Sequence, residues 1–280
     1  MRLVVIGGTA AGVSAASKAK RTKPEMDVSV FEKTGFVTYG ACGLPYYVGG
    51  TVRTREMLSD FTPDALREKR SIPTYIHHEV TTIDRANKTL EVRDLGRNEC
   101  FSVSYDYLVI ATGASPIIPD IPNVRADGVF SLRTVEDGMA IRRAVQEETT
   151  RRALIVGGGF IGLEMAEQLS LLGLEVTLME ALPRLLPSMD EEYSNAIGRV
   201  LEGNNVQLHT GTVVREILAD GGKVVGVRTN SGATFETDLA VISIGVKPNS
   251  SIAQNAGLKT GVRDAIVVDE YMQTSDDSIW

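Results

Sequence analysis

The chain is poor in cysteine, which limits the disulfides and cysteine-based metal sites that it can form. Only Cys42 and Cys100 occur among 280 residues, and they do not form a CxxC pair. Two distant cysteines are typical of a protein from the reducing cytoplasm, where thiols stay free. We therefore expect a cytoplasmic protein with two free thiols and no metal site.

Long hydrophobic runs and an excess of positive charge are also missing. No apolar run approaches the roughly 20 residues that a membrane helix needs, and the chain enters a strand at Leu3–Ile6, so we expect no signal peptide. Lys and Arg number 29 against 36 Asp and Glu, which gives a net charge of −7. A general nucleic-acid surface needs clustered positive charge. We expect neither nucleic acid nor a membrane as a partner.

What the chain does contain, twice, is a glycine-rich turn between a strand and a helix. The first copy runs from Leu3 to Glu32 (LVVIGGTAAG to VSVFE) and the second from Ala153 to Glu180 (ALIVGGGFIGLE to VTLME). Glycine in such a turn permits a tight bend and a close approach to pyrophosphate, while the helix N-terminus offers free N–H groups. An internal repeat of this kind indicates duplicated nucleotide-binding folds.

The second copy matches the GxGxxG fingerprint fully, from Gly157 to Gly162. Glu180, at the end of the next strand, can accept hydrogen bonds from both ribose hydroxyls. A carboxylate there would repel a 2′-phosphate, so we expect NADH to be preferred over NADPH. The alternative is a tight turn that binds no ligand.

The first copy is less regular. Gly7 and Gly12 fit the fingerprint, but Thr9 stands where the middle glycine belongs. The neighbouring residues, Ala10 and Ala11, are small enough to admit a pyrophosphate. Glu32 then occupies the strand end that corresponds to Glu180.

The remaining pattern predicts an α/β fold with two domains, which 280 residues can support. Helices are expected at 56–70, with Pro63 opening the main turn, at 134–148 and at 190–204. Strands are expected in the stretches between them, and also at Ala265–Glu270. The Pro-rich stretch 114–123 predicts a domain boundary, so the expected ranges are 1–115, 116–245 and a return to the first domain over 246–280.

Cys42 lies in VTYGACGLPYYVGG, just past the first nucleotide-binding unit. An isolated cysteine is more often a buried structural residue. This one lies between a nucleotide-binding unit and a helix, where a thiol is held more easily as the nucleophilic thiolate and can attack a disulfide. We interpret Cys42 as redox-active and Cys100, beside a polar turn, as structural or incidental.

As a set, these motifs resemble the single-cysteine members of the pyridine nucleotide–disulfide oxidoreductases over nearly the whole chain. The similarity is greatest to coenzyme A disulfide reductases, with NADH oxidases, NADH peroxidases and coenzyme A persulfide reductases as relatives. The motifs that carry it, in the family's order, are GGTAAG, FEK, ACGLPYYVGG, HHEV, YDYLVIATGA, SLRTVED, GGGFIGLE and IGVKPN. The resemblance implies two Rossmann-like domains of the disulfide reductase type, with FAD in range 1–115 plus 246–280 and NAD in range 116–245.

The resemblance also implies a role for individual residues. Those expected to bind FAD are Gly7, Ala10, Ala11 and Gly12 at the pyrophosphate, Glu32 at the ribose with Lys33 beside it, Val80 at the adenine, Ala111, Thr112 and Gly113 in a closing loop, and Arg133 near the flavin. Those expected to hold NADH are Gly157, Gly159, Phe160, Ile161, Gly162, Glu164, Glu180 and Gly245. Arg21 and Thr38 resemble coenzyme A contacts, the alternatives being a solvated surface charge and ordinary turn polarity.

The expected reaction carries electrons from NADH through flavin to Cys42 and on to a disulfide or persulfide. Coenzyme A disulfide is the favoured substrate. No CxxxxC pair is present, so a single thiol must cycle through a mixed disulfide, a sulfenic acid or a persulfide. Oxidases and peroxidases of the family typically carry His at the position of Ala10 and usually lack the sequence Leu44-Pro45-Tyr46 after the thiol. Both differences favour a thiol or coenzyme A substrate for this chain. Ala41 replaces an Asn that disulfide reductases often have, which puts that substrate contact in doubt.

Two alternatives stay open. One is an NADH oxidase or peroxidase that uses a cysteine sulfenic acid, and the other is a catalytically incomplete nucleotide-binding fragment. Family members continue into an FAD-binding Asp segment and a C-terminal dimerisation domain that are absent from this sequence. We therefore expect a fragment or a shortened protein with weakened flavin binding, and a homodimer if a longer chain exists.

Overall fold

The computed structural model describes residues 1–280 and divides into two compact units. Unit 1 comprises Met1–Gly40, Ser59–Ser115 and Lys247–Trp280, and unit 2 comprises Ala41–Leu58 and Pro116–Val246. None of the helices combines the length and the hydrophobicity needed to cross a membrane.

The two units contain seven α-helices and seventeen strands. The helices are α1 Ala10–Thr22, α2 Leu44–Val48, α3 Pro63–Arg70, α4 Val135–Val145, α5 Phe160–Leu171, α6 Glu191–Gly203 and α7 Ser251–Asn255. The strands are β1 Arg2–Ile6, β2 Asp27–Phe31, β3 Thr74–Tyr75, β4 His78–Asp84, β5 Thr89–Asp94, β6 Glu99–Ser104, β7 Tyr107–Ile110, β8 Ala114–Pro116, β9 Val129–Ser131, β10 Arg152–Val156, β11 Glu175–Met179, β12 Gln207–His209, β13 Val214–Asp220, β14 Lys223–Thr229, β15 Thr234–Glu236, β16 Leu239–Ile242 and β17 Val246–Pro248.

Unit 1 is built on a parallel sheet in the order β3-β2-β1-β7, with α1 as the crossover between β1 and β2. Val4 and Val5 of β1 are completely buried, as expected of a central parallel strand that is covered on both faces. An antiparallel sheet, β4-β5-β6, packs its buried side chains into the same core as Leu108 and Ile279. This arrangement places the glycine turn after β1 beside the loop after β7.

Unit 2 repeats the plan with a parallel sheet in the order β12-β11-β10-β16-β9. A second sheet, β13-β14-β15, is antiparallel, and its buried Ile217 and Val227 pack with Leu154 of β10. The turn after β10 therefore lies beside the loop after β16, as its counterpart lies beside β7 in unit 1.

Local signals placed most of the helices correctly. Thr62 caps α3 by accepting a hydrogen bond from the Ala65 N–H, and Pro63 occupies the first turn as expected. Thr134 and Asp137 form a capping box that begins α4 inside the expected range 134–148. The helix expected at 56–70 is shorter, because α3 begins only at Pro63 and a separate 3₁₀ turn covers Arg55–Leu58.

The strand expected at Ala265–Glu270 is absent, so that prediction was wrong. Only Ile266 forms an isolated bridge, to Thr260. Val267 and Val268 are 46% and 40% exposed. Apolar β-branched residues favour a strand where a neighbouring strand pairs with them and buries them. Here the backbone partner is only the short stretch 259–261, which forms one bridge and leaves Val267 and Val268 exposed.

Residues 41–58 belong to unit 2, although the sequence interpretation placed them within range 1–115. The reason lies in α2, which is apolar and packs against α4 and α5. Gly138 of α4 lacks a side chain at the point where Leu44 and Tyr47 approach, and Gly49 lies against Gln168 of α5. The binding of FAD and NAD by the two ranges stays a prediction.

Candidate functional site

The turn between β1 and α1 admits only glycine at two positions. Gly7 has φ +106°, and a Cβ added there would collide with the carbonyl oxygen of Ala111. A Cβ on Gly12 would collide with the carbonyl oxygen of Gly7. The first turn of α1 therefore lies directly on the glycine turn, which is the close helix–strand packing that the last glycine of such a fingerprint permits.

The turn between β10 and α5 has the same construction. Gly157 has φ +112°, and a Cβ there would lie 2.5 Å from the Ser243 carbonyl oxygen. A Cβ on Gly162 would collide with the Gly157 carbonyl oxygen. Ser243 takes the place of Ala111, and its hydroxyl donates hydrogen bonds to the carbonyl oxygens of Val156 and Gly157, each at 3.1 Å.

Each turn is closed by the acid at the end of the second strand. Glu32 is 7% exposed and accepts hydrogen bonds from the Gly8 N–H at 2.7 Å and the Thr34 N–H at 2.8 Å. Glu180 is 9% exposed and accepts from Gly158 at 2.6 Å and Leu182 at 2.8 Å. A carboxylate oxygen has a second lone pair, so each acid retains capacity to accept from a ribose hydroxyl. The sequence interpretation missed that these acids also hold the turns in shape.

Both helices that follow the turns have uncapped N-termini. Thr9 precedes α1 and Gly159 precedes α5, and neither makes a side-chain capping hydrogen bond. Neither helix has an acidic residue in its first turn. Ala10 and Ala11 are exposed, and a Cβ on Gly159 would meet nothing within 4 Å. Free N–H groups beside open space fit a pyrophosphate at each turn.

The loop Ala111–Gly113 follows β7 and is held beside the first turn. The Ala111 N–H donates to the Ile6 carbonyl oxygen at 2.8 Å. The Thr112 hydroxyl donates to the Asn249 carbonyl oxygen at 2.6 Å, and the Asn249 side-chain amide donates to the Thr112 carbonyl oxygen at 2.9 Å. Sequence reasoning missed Asn249, although it is the last residue of the quoted IGVKPN motif.

The structure places four other expected residues as follows. Val80 is buried in the core of unit 1, and Lys33 is exposed. Arg133 precedes α4, and its N–H donates to the Asp137 side chain at 2.9 Å. Gly245 has φ +116°, a conformation that favours glycine, and its carbonyl oxygen accepts a hydrogen bond from the Ile117 N–H at 2.9 Å.

Glu164 lies on α5, two residues after Gly162. Burial raises the pKa of its carboxyl above the usual value, and the nearby charge of Glu167 raises it further. An acid at this position therefore carries its negative charge less readily than an exposed glutamate does.

A cavity of about 430 Å³ in unit 1 opens beside α1 and contains both expected coenzyme A contacts, Arg21 and Thr38. Arg70, which sequence reasoning missed, lines the same cavity together with Asp60. The Thr38 hydroxyl donates to the Phe61 carbonyl oxygen at 2.7 Å and accepts from the Phe61 N–H at 2.9 Å. Thr38 thus joins two loops of the wall, while Arg21 and Arg70 supply positive charge.

Cys42 lies on a 3₁₀ turn, Ala41–Gly43, directly before α2, and its side chain is exposed. Leu44, Tyr47 and Val48 are buried and anchor the segment that carries it. Cys100 is exposed on β6, opposite Arg93. Both cysteines are free thiols in the structure.

Within unit 1 the structure brings together Gly7–Gly12, Glu32 and Ala111–Gly113, and separately Arg21 and Thr38. Within unit 2 it brings together Gly157–Gly162 and Glu180. The binding roles of these residues stay predictions.

The family model described as pyridine nucleotide-disulphide oxidoreductase matches residues 1–280. An NAD(P)H coenzyme A polysulfide/persulfide reductase from Pyrococcus horikoshii is 36% identical over 280 residues, which cover 100% of this chain and 61% of that protein. An NADH oxidase from Methanocaldococcus jannaschii is 34% identical over 281 residues, which cover 100% of this chain and 62% of that protein. The solved structure of an NAD-dependent persulfide reductase from A. fulgidus matches with a TM-score of 0.96 and 38% identity, covering 100% of this chain and 52% of that one.

This match confirms the expected fold class, and the chain spans about 61–62% of the length of those two relatives. The doubled glycine turns, the acid that closes each of them and the family match that spans residues 1–280 have one explanation: the chain belongs to the pyridine nucleotide-disulphide oxidoreductase family.

Proposed function

We propose that this chain carries the dinucleotide-binding and thiol-bearing parts of an NADH-consuming, FAD-dependent reductase of disulfides or persulfides. Among these substrates, we propose coenzyme A disulfide as the preferred one. The observation that carries the proposal is the combination of two similarly built glycine turns, each followed by a helix with an uncapped N-terminus, with one exposed thiol, Cys42, just before a buried helix. The similarity to a protein named coenzyme A polysulfide/persulfide reductase supports the same substrate class.

The two turns take different dinucleotides in this proposal. The amides of α1 and Glu32 would hold FAD at the turn of unit 1, and the amides of α5 and Glu180 would hold NADH at the turn of unit 2. The negative charge of Glu180 favours ribose hydroxyls over a 2′-phosphate, hence NADH over NADPH. A flavin bound there would supply the means of passing two electrons from a nicotinamide to sulfur.

Cys42 performs the sulfur chemistry. Its thiolate attacks one sulfur of the substrate, so that a mixed disulfide forms and the first substrate thiolate leaves. Two electrons and one proton then cleave the mixed disulfide, which returns the Cys42 thiolate and releases the second thiol. The exposed position of Cys42 gives a bulky substrate access to the sulfur.

The cavity beside α1 supports a substrate that carries phosphate. Arg21 and Arg70 line it, and Asp60 is its only acidic residue. Guanidinium groups bind phosphate in a bidentate manner. Coenzyme A is a thiol with phosphate groups, so the cavity suits its nucleotide end. We place the activity in the cytoplasm, where thiols such as Cys42 and Cys100 stay reduced, and a homodimer stays a prediction.

One competing function has an observation in its favour, because a relative at 34% identity is named NADH oxidase. In that reaction Cys42 would cycle through a sulfenic acid. Ala10, where oxidases of the family carry His, favours the disulfide over oxygen or peroxide.

The test compares NADH consumption by the purified, FAD-supplemented protein with coenzyme A disulfide, oxygen and peroxide as acceptors. We expect coenzyme A disulfide to be the best acceptor and Cys42→Ser to abolish its reduction. Cys100→Ser, the matched control, should leave it unchanged. A Cys42→Ser protein that still turns over coenzyme A disulfide would overturn the proposal, and oxygen or peroxide as the best acceptor would favour the competing function.

A further inference from the structure

The segment that carries Cys42, residues 41–58 of unit 2, receives several hydrogen bonds from one arginine of α4. Arg142 lies on α4, and its Nη1 donates hydrogen bonds to three carbonyl oxygens of the segment: Tyr47 at 3.1 Å, Val52 at 3.3 Å and Arg53 at 3.1 Å. The guanidinium carbon also lies 4.6 Å from the centre of the Tyr47 ring. One cation therefore neutralises the carbonyl end of α2 and stacks on its most C-terminal aromatic side chain.

We propose that Arg142 is the positioning residue for Cys42. The segment is only five residues of α-helix with a short 3₁₀ turn at each end, and a helix of that length does not hold its shape without tertiary contacts. Its buried side chains fix where α2 lies. Arg142 fixes the other end of the same short element, together with the turn at Val52 and Arg53. Because α2 is only five residues long and Cys42 lies on the turn directly before it, a contact that fixes the carbonyl end of α2 also restricts the orientation of the thiol.

The chemistry of arginine fits this task better than that of lysine. A guanidinium is planar and stacks on an aromatic ring while it donates hydrogen bonds, as Arg142 does on Tyr47, whereas an ammonium is a compact, strongly hydrated charge. Arg142 is half-buried, while its neighbour Arg143 on the same helix is exposed and makes none of these hydrogen bonds. The sequence offers no local signal for this role, because the partners are 89 to 95 residues apart along the chain.

The inference rests on the proposed function of Cys42, so its test has one readout that does not need turnover. Arg142→Met, Arg142→Lys and the control Arg143→Met are made in a Cys100→Ser background, which leaves Cys42 as the only thiol. Amide hydrogen exchange over residues 44–53 reports the attachment of the segment. We expect Arg142→Met to speed this exchange at least about tenfold, the equilibrium equivalent of one hydrogen bond to a charged group. The exchange rate of Arg142→Lys should lie between those of Arg142→Met and the parent, and the rate of Arg143→Met should equal that of the parent.

The second readout separates positioning from a purely structural contact. NADH-dependent reduction of ferricyanide bypasses the thiol, whereas reduction of coenzyme A disulfide requires it. We expect Arg142→Met to lower the disulfide rate about tenfold while the ferricyanide rate stays within about twofold, with Arg142→Lys restoring part of the disulfide rate.

Unchanged exchange over 44–53 in Arg142→Met would overturn the attachment itself. Faster exchange with an unchanged ratio of disulfide to ferricyanide rates would overturn the positioning role. If Arg142→Met does not fold, the same two readouts are taken from Arg142→Lys: the amide exchange over residues 44–53, and the ratio of the disulfide rate to the ferricyanide rate. Failure of the proposed function is seen separately, as disulfide reduction that survives Cys42→Ser in the same background.

Discussion

Replacement of two glycines in the second turn by alanine should have opposite consequences. Gly159 has φ −81° and ψ −177°, which alanine adopts freely, and a Cβ there would meet nothing within 4 Å. Gly159→Ala should therefore leave the free energy of unfolding within about 0.5 kcal/mol of the parent. Gly162→Ala would push a methyl group into the Gly157 carbonyl oxygen and to 2.8 Å from the Ser243 hydroxyl. Overpacking of that kind costs about 1–3 kcal/mol.

For the binding of NADH, Gly159→Ala is the informative variant. The space beside Gly159 is empty in the protein alone, and in the proposed complex it is where the pyrophosphate approaches the backbone. A methyl group there displaces the phosphate, so we expect the Kd for NADH to rise at least about tenfold, or about 1.4 kcal/mol. Unfolding in urea measures the stability, and fluorescence titration measures the Kd. A Gly159→Ala protein of normal stability that binds NADH as the parent does would refute the placement of the pyrophosphate at this turn.

Three further predictions concern stability. Burial and the charge of Glu167 raise the pKa of Glu164 above its unfolded value. The ionisation of Glu164 therefore destabilises the fold as the pH rises past about 4.5. Glu164→Gln should raise the Tm at pH 7 and leave it unchanged at pH 4. Although burial raises the pKa of Asp238, hydrogen bonds from the Arg152 side chain and neighbouring backbone amides bring it below the usual value. Its contribution is thus present above about pH 4 and is lost as pH falls through the folded pKa, so Asp238→Asn should lower the Tm at pH 7 and flatten its decline in acid. Thr134→Ala removes the cap of α4 and should cost about 1 kcal/mol in urea unfolding.

The repeated βαβ units could be predicted because their signals are local. A strand, a glycine turn and an acid at a fixed distance place Gly7 and Gly157 at switch points of parallel sheets, and the structure has both turns there. Pro63 and Thr134 mark helix starts through short-range hydrogen bonding, which a single sequence reveals. Such features do not depend on what the rest of the chain does.

Features that depend on distant partners could not be predicted in this way. Asn249 holds the loop at Thr112 across more than a hundred residues, and nothing near Asn249 in sequence indicates the pairing. The strand expected at Ala265–Glu270 finds only a single-bridge partner at Thr260, which the apolar pattern alone cannot show. The attachment of residues 41–58 to unit 2 depends on the packing of α2 against α4 and α5, and on Arg142.

The central claim is that the sulfur of Cys42 exchanges with a disulfide and is regenerated by NADH. Mass spectrometry of the FAD-loaded protein after exposure to coenzyme A disulfide tests it directly. We predict one coenzyme A adduct, located on Cys42, present in Cys100→Ser, absent in Cys42→Ser, and released when NADH is added. An adduct on Cys100 instead, or one on Cys42 that NADH does not release, would contradict the account.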